Sequence, residues 1–311
     1  MKLVVSSYER MPNNSLSLID VDIENKTYKH LDDIALFEPS FVISFKKDNK
    51  DYVITYSKND IKLLLYLVKN NKLEMCDEYY LPYPFTSLTH LLYLDKLERL
   101  YACCYKDKAY LRIDIKEEKF SNLKFNQNRG RSACHQMIYL EKSDEIGVVD
   151  IFKDCVDSFD LDLNYKRSLK IDKGAGPRHG IVMDDFLYLV TEYSNELYKI
   201  SSLSGKIVSK ASTLKEKCIS YGGTLFSIGD TIYASNRGED DIAIFEDKDT
   251  LNKIDNVSYF GKNSRHMIKT KDEKYIISCN MDSSYLSIID VKDKKLVMNI
   301  AYSKVACVTE L

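Results

Sequence analysis

GAGPRHGIVMDDFLYLVTE, residues 174–192, is the stretch that decides the fold. Gly174 and Gly176 permit backbone angles closed to other residues, and Pro177 fixes the next one. The bend so made delivers Arg178 and His179 to the first residues of a short apolar strand, GIVM. Asp184-Asp185 marks a turn, and FLYLVTE (186–192) reads as a second strand with Glu192 at its end.

The same phrase of loop, apolar strand, turn and second strand begins near Pro39, Thr86, Ser132, Gly176, Ile219, Asn263 and Lys304. The intervals of roughly 41–47 residues fall in the range of four-stranded propeller blades. The repeat therefore predicts an all-β, seven-bladed propeller with four antiparallel strands per blade, formed by residues 1–311 as a single domain. The seventh unit is cut. Only VACVTEL (305–311) follows Lys304, while KLVVSSYE (2–9), NSLSLIDVD (14–22) and TYKHLDDIAL (27–36) stand at the other end. Those three N-terminal strands are expected to complete the last blade with the C-terminal strand. A ring closed in this way removes exposed sheet edges.

Composition narrows the function classes. Hydrophobic residues make up 44% and aromatics 11%, with 23 Tyr and no Trp, which suits a β-rich core. The net charge is −2, without a basic arm or stripe, so nucleic acid is not an expected partner. No charged-then-apolar leader opens the sequence, and no apolar run approaches the ~20 residues that span a bilayer, so no membrane partner is expected. The eight cysteines lack zinc-ligand spacing and several sit inside apolar strands. They read as buried free thiols of a cytoplasmic protein. Nothing in the sequence bears on oligomeric state.

Strand direction predicts where chemistry would gather. In an antiparallel blade, the first strand starts and the second strand ends at one face. Residues at those positions should meet at one mouth of the central channel. Four of the five histidines (His90, His135, His179, His266) recur near the start of first strands, and His30 does not. They either cap a bend or line the mouth. As metal ligands they are unconvincing, because they come from different blades around a wide ring. Arginine is scarce, nine against 36 lysines, yet Arg178, Arg237 and Arg265 fall at mouth positions, with Arg129 and Arg131 in a loop on that face. Such use suggests a planar fork for a carboxylate or phosphate, or else a staple between blades. Glu192 and Asp150 end second strands, with Asp154 following. Glu192 is a candidate general base or acid, or an arginine's structural partner. Asn236 and Asn280 end the second strands of the fifth and sixth units, where they bond sugar hydroxyls or start turns. No nucleophile elbow, phosphate loop or dinucleotide fingerprint is present, so no cofactor is expected.

SACHQMIYL with VVDIFKDCVDSFDLD (148–162), GAGPRHGIVM with LYLVTEYSNELY (187–198), IYASNRGEDDIAIF (232–245), and GKNSRHM with IISCNMDSS (276–284) carry a resemblance. Over about the C-terminal two-thirds, the chain resembles the seven-bladed propeller lactonases, the bacterial 6-phosphogluconolactonase-like family. The resemblance implies hydrolysis of a sugar-acid lactone, typically 6-phosphogluconolactone in the pentose phosphate route. It also implies likeness to a fungal muconate-lactonising enzyme of the same fold, whose site of one histidine, two arginines and one glutamate carries by motif onto His135, Arg178, Glu192 and Arg237. The sequence departs from the family at Ser264, where proline is usual, at Phe152, where glycine is usual, and at YACCY (101–105), where an asparagine-tyrosine pair is usual.

The expected function is a cofactor-free lactonase acting on a small anionic sugar lactone. Catalysis would fall to His135, Glu192, Arg178 and Arg237, and substrate binding to His179, Asn236, Arg265, His266, Asp150 and Asn280. Two alternatives stand beside it: a lactonising or cycloisomerase-type enzyme on an unsaturated dicarboxylate, and a non-catalytic ligand- or protein-binding propeller.

Overall fold

In the computed structural model, which describes residues 1–10 and 14–311, the chain forms seven four-stranded antiparallel sheets. Each sheet is one blade. Counting from the first complete unit, blades 1 to 6 span residues 43–80, 90–127, 134–170, 177–212, 221–258 and 264–301. Blade 7 takes its innermost strand, Val305–Glu310, from the C-terminal end and its other three, Lys2–Ser7, Leu16–Asp22 and Thr27–Ile34, from the N-terminal end. Val308 pairs with Val5 across that seam. The Tyr302 hydroxyl bonds the Val5 carbonyl at 3.2 Å and Ser17 Oγ at 2.9 Å, tying the sixth blade to the closure.

Burial along the strands follows their rank in the blade. Second strands such as Phe186–Thr191 and Arg99–Cys104 are buried on both faces, because each blade packs against a neighbour on either side. Fourth strands lie at the rim, and Ile207–Ser212 alternates half-buried with exposed. The apolar clusters sit between blades. Tyr188, Val190 and Leu197 of blade 4, for example, pack on Leu225, Ile232 and Phe245 of blade 5. Each such fully buried aliphatic side chain stabilises by about 1.5–3 kcal/mol, so the ring is held by many equivalent inter-blade contacts rather than by one central core.

The innermost strands carry an irregularity that the repeat does not announce. Their pairing with the second strand slips at Cys134/Gln136, Pro177/His179, Gly222/Leu225 and Ser264/Met267, and at Ser6/Ser7 opposite Ala306 in blade 7. Five blades therefore share a β-bulge at the same end of the inner strand. A bulge leaves a residue out of the ladder and re-aims its side chain. Here the residues left out include His135, Arg178 and the pair Arg265-His266.

The inner strands of blades 1 and 2 are shorter than the sequence predicts. They begin only at Ile43 and His90, four residues beyond the unit starts at Pro39 and Thr86. The segment before Ile43 leaves the ladder so that Phe41 can enter the channel, its ring 4.7 Å from His90 and 5.4 Å from His266. The Phe41 carbonyl is met instead by the Thr55 hydroxyl at 2.8 Å.

Candidate active site

The glycine loop before blade 4 is built first by the backbone. Gly174 and Gly176 have φ of 81° and 69°, and a Cβ on Gly176 would stand 2.5 Å from the Tyr193 ring. Asp154 closes the loop by accepting the amides of both glycines at 2.8 Å. The Gly176 carbonyl accepts the amide of Glu192 at 2.6 Å. The loop thus fixes the glutamate's backbone against the start of the strand that carries Arg178.

A second glycine pair, Gly222-Gly223, aims the arginines. The Gly223 carbonyl accepts Arg178 Nη1 at 2.7 Å, and the Gly222 carbonyl accepts Arg237 Nη2 at 3.1 Å. The main chain can come this close only without side chains. A Cβ on Gly222 would lie 2.1 Å from the Thr191 carbonyl oxygen, and one on Gly223 would lie 2.2 Å from Ser235 Oγ. With their guanidiniums so held, Arg178 Nε and Arg237 Nη2 approach one oxygen of Glu192, Oε2, at 3.3 and 3.2 Å. Arg265 completes the group from blade 6, its Nη2 3.2 Å from the Tyr8 hydroxyl and its head over the Tyr8 ring.

Three guanidiniums therefore line a cavity of about 370 Å³ at the mouth of the channel, and two of them share the Glu192 carboxylate. Arg178 and Arg237 are 3% and 9% exposed, so little water screens them. The Nε atoms of Arg178, Arg237 and Arg265 are buried without a hydrogen bond, as is Nδ1 of His135. Burial, then the neighbouring Arg237 and Arg265, push Arg178 well below the ordinary arginine value, and Glu192 opposes them. Arg237 is lowered by burial against the pull of Glu192. Arg265 moves up: burial works against it, but Tyr8, Glu192 and Asp282 outweigh that. Guanidinium remains protonated under such shifts, so the cup carries surplus positive charge.

The histidines lie beneath. His179 sits 5.0 Å from His135 and 5.9 Å from His90, ring centre to ring centre, so the channel is narrow at this level and not the wide ring that the sequence suggests. No group of three or more His, Cys, Asp or Glu among the described residues is placed to hold a metal ion. Burial pushes His90 down to about 3 and His266 down to about 4. Burial and then Arg178 hold His135 and His179 well below the ordinary histidine value. All four are neutral imidazoles at neutral pH. His266 is turned to the Cys307 thiol, 3.5 Å from Nδ1.

Asp150, Asn236 and Asn280, which the sequence assigns to substrate binding, are instead fully buried, do not line the cavity, and have their polar atoms engaged in the fold. Asp150 accepts the Ser132 hydroxyl and the amides of Ala133, Phe152 and Lys153. Asn236 bridges Thr213 and Asp241. Asn280 takes the Ser278 hydroxyl and donates to Ser287 at 2.7 Å. Arg131 lies over the Phe152 ring, 5.1 Å from its centre, and Phe152 in turn meets Tyr105. His30 sits in the outermost strand of blade 7 and pairs with Asp33.

One wall of the cup was missed. Tyr8, Lys58, Tyr105 and Lys106 line the same cavity from blades 7, 1 and 2. Tyr8, Lys58 and Tyr105 directly follow second strands, as Glu192 does, and Lys106 stands one residue further on. The ends of second strands mark these tyrosines and lysines as they mark Glu192.

Comparison with known proteins agrees with this architecture. A family model described as "Lactonase, 7-bladed beta-propeller" matches residues 2–306. The chain belongs to the seven-bladed propeller lactonase family. Among solved structures, this lactonase-family chain is similar to a Lactobacillus plantarum protein, 17% identical with a TM-score of 0.88 over 100% of both chains. It is also similar to the periplasmic gluconolactonase of Pseudomonas aeruginosa, 14% identical with a TM-score of 0.86, covering 99% of this chain and 98% of that one. A Bacteroides fragilis protein proposed to be a 6-phosphogluconolactonase is 17% identical with a TM-score of 0.83, covering 99% and 97%. At these identities the likeness speaks for the fold. No curated protein matches the sequence. Family membership supports lactone hydrolysis at the coarse level, with a small lactone as substrate. No helix among the described residues is long and apolar enough to cross a membrane.

Proposed function

We propose that this propeller, acting as one domain, hydrolyses an anionic sugar-acid lactone of the 6-phosphogluconolactone class without a cofactor. The observation that carries the reading is the surplus of guanidinium donors over carboxylate around a substrate-sized cavity, which Arg178, Arg237 and Arg265 all line while Glu192 pairs with the first two. Such donors, fixed before the reaction and shielded from water, favour charge that develops on a carbonyl oxygen. In this mechanism Arg178 and Arg237 receive the lactone carbonyl. Glu192, paired with both, holds the two forks towards the same point. His135, neutral and with Nδ1 free, takes a proton from the attacking water. The tetrahedral intermediate collapses with cleavage of the ring C–O bond, and the imidazolium returns the proton to the departing alkoxide. The product is the open hydroxy acid, and one water has been consumed. Asp150, Asn236 and Asn280 hold the walls in this scheme, and His179 and His266 pack beneath His135.

Lactones open unaided at measurable rates, so an acid–base gain of ~10²–10⁴ would suffice. The test is purified protein with freshly prepared 6-phosphogluconolactone, following acid release against a buffer blank. Acceleration that Arg178→Ala reduces by about 10²-fold or more is expected. No acceleration, or Arg178→Ala equal to wild type, overturns the reading. An unsaturated dicarboxylate run alongside tests the lactonising alternative. We place the protein in the cytoplasm, on the support of eight cysteines that all remain free thiols.

A further inference from the structure

The cup is electrically lopsided, and the asymmetry has a direction. Its outer extension towards blades 5 and 6, a space of about 450 Å³, brings Lys262, Arg237 and Arg265 against Glu192, Asp240 and Asp282, so the formal charges there cancel. The part that reaches towards blades 1 and 2 has Arg178, Arg237, Arg265, Lys58 and Lys106 against only Glu38 and Glu192. Within it Lys58 is spoken for. Its ammonium meets Glu38, whose other oxygen takes Arg10 at 2.7 Å. Lys106 is different. It is exposed on one side, lines the cavity on the other, and has no carboxylate within ion-pair distance among the described residues.

Lys106 stands two residues beyond the second strand of blade 2, Arg99–Cys104. Its neighbour Tyr105 reaches His135, 6.2 Å between ring centres. The unpaired ammonium is thus on the blade 2 side of the proposed base, whereas the arginines that receive the carbonyl come from blades 4 and 5. A ligand lying across the cup would present its reacting carbonyl to the guanidiniums and its far end to Lys106.

We propose that Lys106 is the specificity-determining residue for a second anionic group at the end of the substrate remote from the lactone carbonyl, a phosphate monoester in particular. The proposal rests on the lactonase reading given above. A phosphate dianion meeting one ammonium at a wet rim is worth about a tenfold preference, and that preference should weaken with added salt.

The test compares 6-phosphogluconolactone with glucono-1,5-lactone in wild type, Lys106→Ala and Lys106→Glu. Calorimetric binding of 6-phosphogluconate and of gluconate is measured on the same three proteins. The kcat/KM ratio of the two lactones should fall about tenfold in Lys106→Ala and further in Lys106→Glu. The gap between the two acids' affinities should close in step. A ratio and a gap that stay as in wild type overturn the proposal. If wild type opens neither lactone, the lactonase reading fails by itself, and the acids still decide the matter. Preferential binding of the phosphorylated acid that disappears in Lys106→Ala sustains the remote anion site. Equal binding of both acids by wild type removes it. Thermal unfolding of the variants shows whether the exposed substitution has disturbed the fold.

Discussion

Lowering the pH from 7.5 to 5.0 should cost this propeller much of its stability through its histidines alone. His90, His135, His179 and His266 are buried as neutral rings, with His90 down at about 3 and His266 at about 4. In the unfolded chain each returns to about 6.5. Below that value the unfolded state binds protons that the folded state refuses, so stability is fully present above pH 6.5 and is lost as the pH falls. At pH 5.0 His90 and His266 each contribute about 2 kcal/mol in favour of unfolding, about 4 kcal/mol together, and His135 and His179 act in the same direction. That compares with a total of about 5–15 kcal/mol for an ordinary domain. Carboxylates add little in this window, because their unfolded values lie near 4. The assay is equilibrium urea unfolding at both pH values and fixed ionic strength, followed by far-UV circular dichroism, since the chain has no Trp. His90→Gln removes one titrating ring and should narrow the difference by about 2 kcal/mol. Equal stability at pH 7.5 and 5.0, or ring resonances that titrate near 6.5 in the folded protein, would refute the reasoning.

Three further outcomes follow from the site. Gly222→Ala drives a methyl into the Thr191 carbonyl and disturbs the acceptor of Arg237. Differential scanning calorimetry should show a loss of several degrees, about 2–4 °C per kcal/mol, together with lost lactonase activity. Asp150→Ala strips acceptors from a buried hydroxyl and three amides, and chemical unfolding should register a loss of about 3 kcal/mol. If His135 takes the proton from water, kcat/KM should stay level from pH 8 down to pH 6, because burial and Arg178 keep the ring neutral there. An inflection near 6.5 in that profile would count against His135.

The blades were legible because their strands are short, apolar and separated by turn residues at a steady interval. Closure by Val305–Glu310 was legible from the phase of the repeat, which breaks off in the seventh unit and resumes at Lys2. The gathering of Arg178, Glu192, Arg237 and Arg265 followed from strand direction alone. The bulges did not, since an inserted residue leaves no mark on composition, and they are what let neighbours such as Arg178-His179 and Arg265-His266 line the same narrow space. Regular pleating would have sent one of each pair to the opposite face. Nor could GGT (222–224) be read as more than strand, because the service of Gly222 and Gly223 lies in their carbonyls and in the room left by missing side chains. Phe152, noted as a departure from the family, acquires a place only when Tyr105 from blade 2 is seen against it.

The seam in blade 7 has a consequence for biosynthesis. The sheet begun by Lys2–Ser7 is completed on its inner side by residues 305–310, which are synthesised only after all six other blades. Until then Lys2–Ser7 presents an unmated row of amides and carbonyls, the kind of template on which stray strands settle. Tyr8, at the end of that strand, cannot take its post beside Arg265 before the ring shuts. The nascent protein therefore has a long interval in which it needs shelter and has no complete cup to work with.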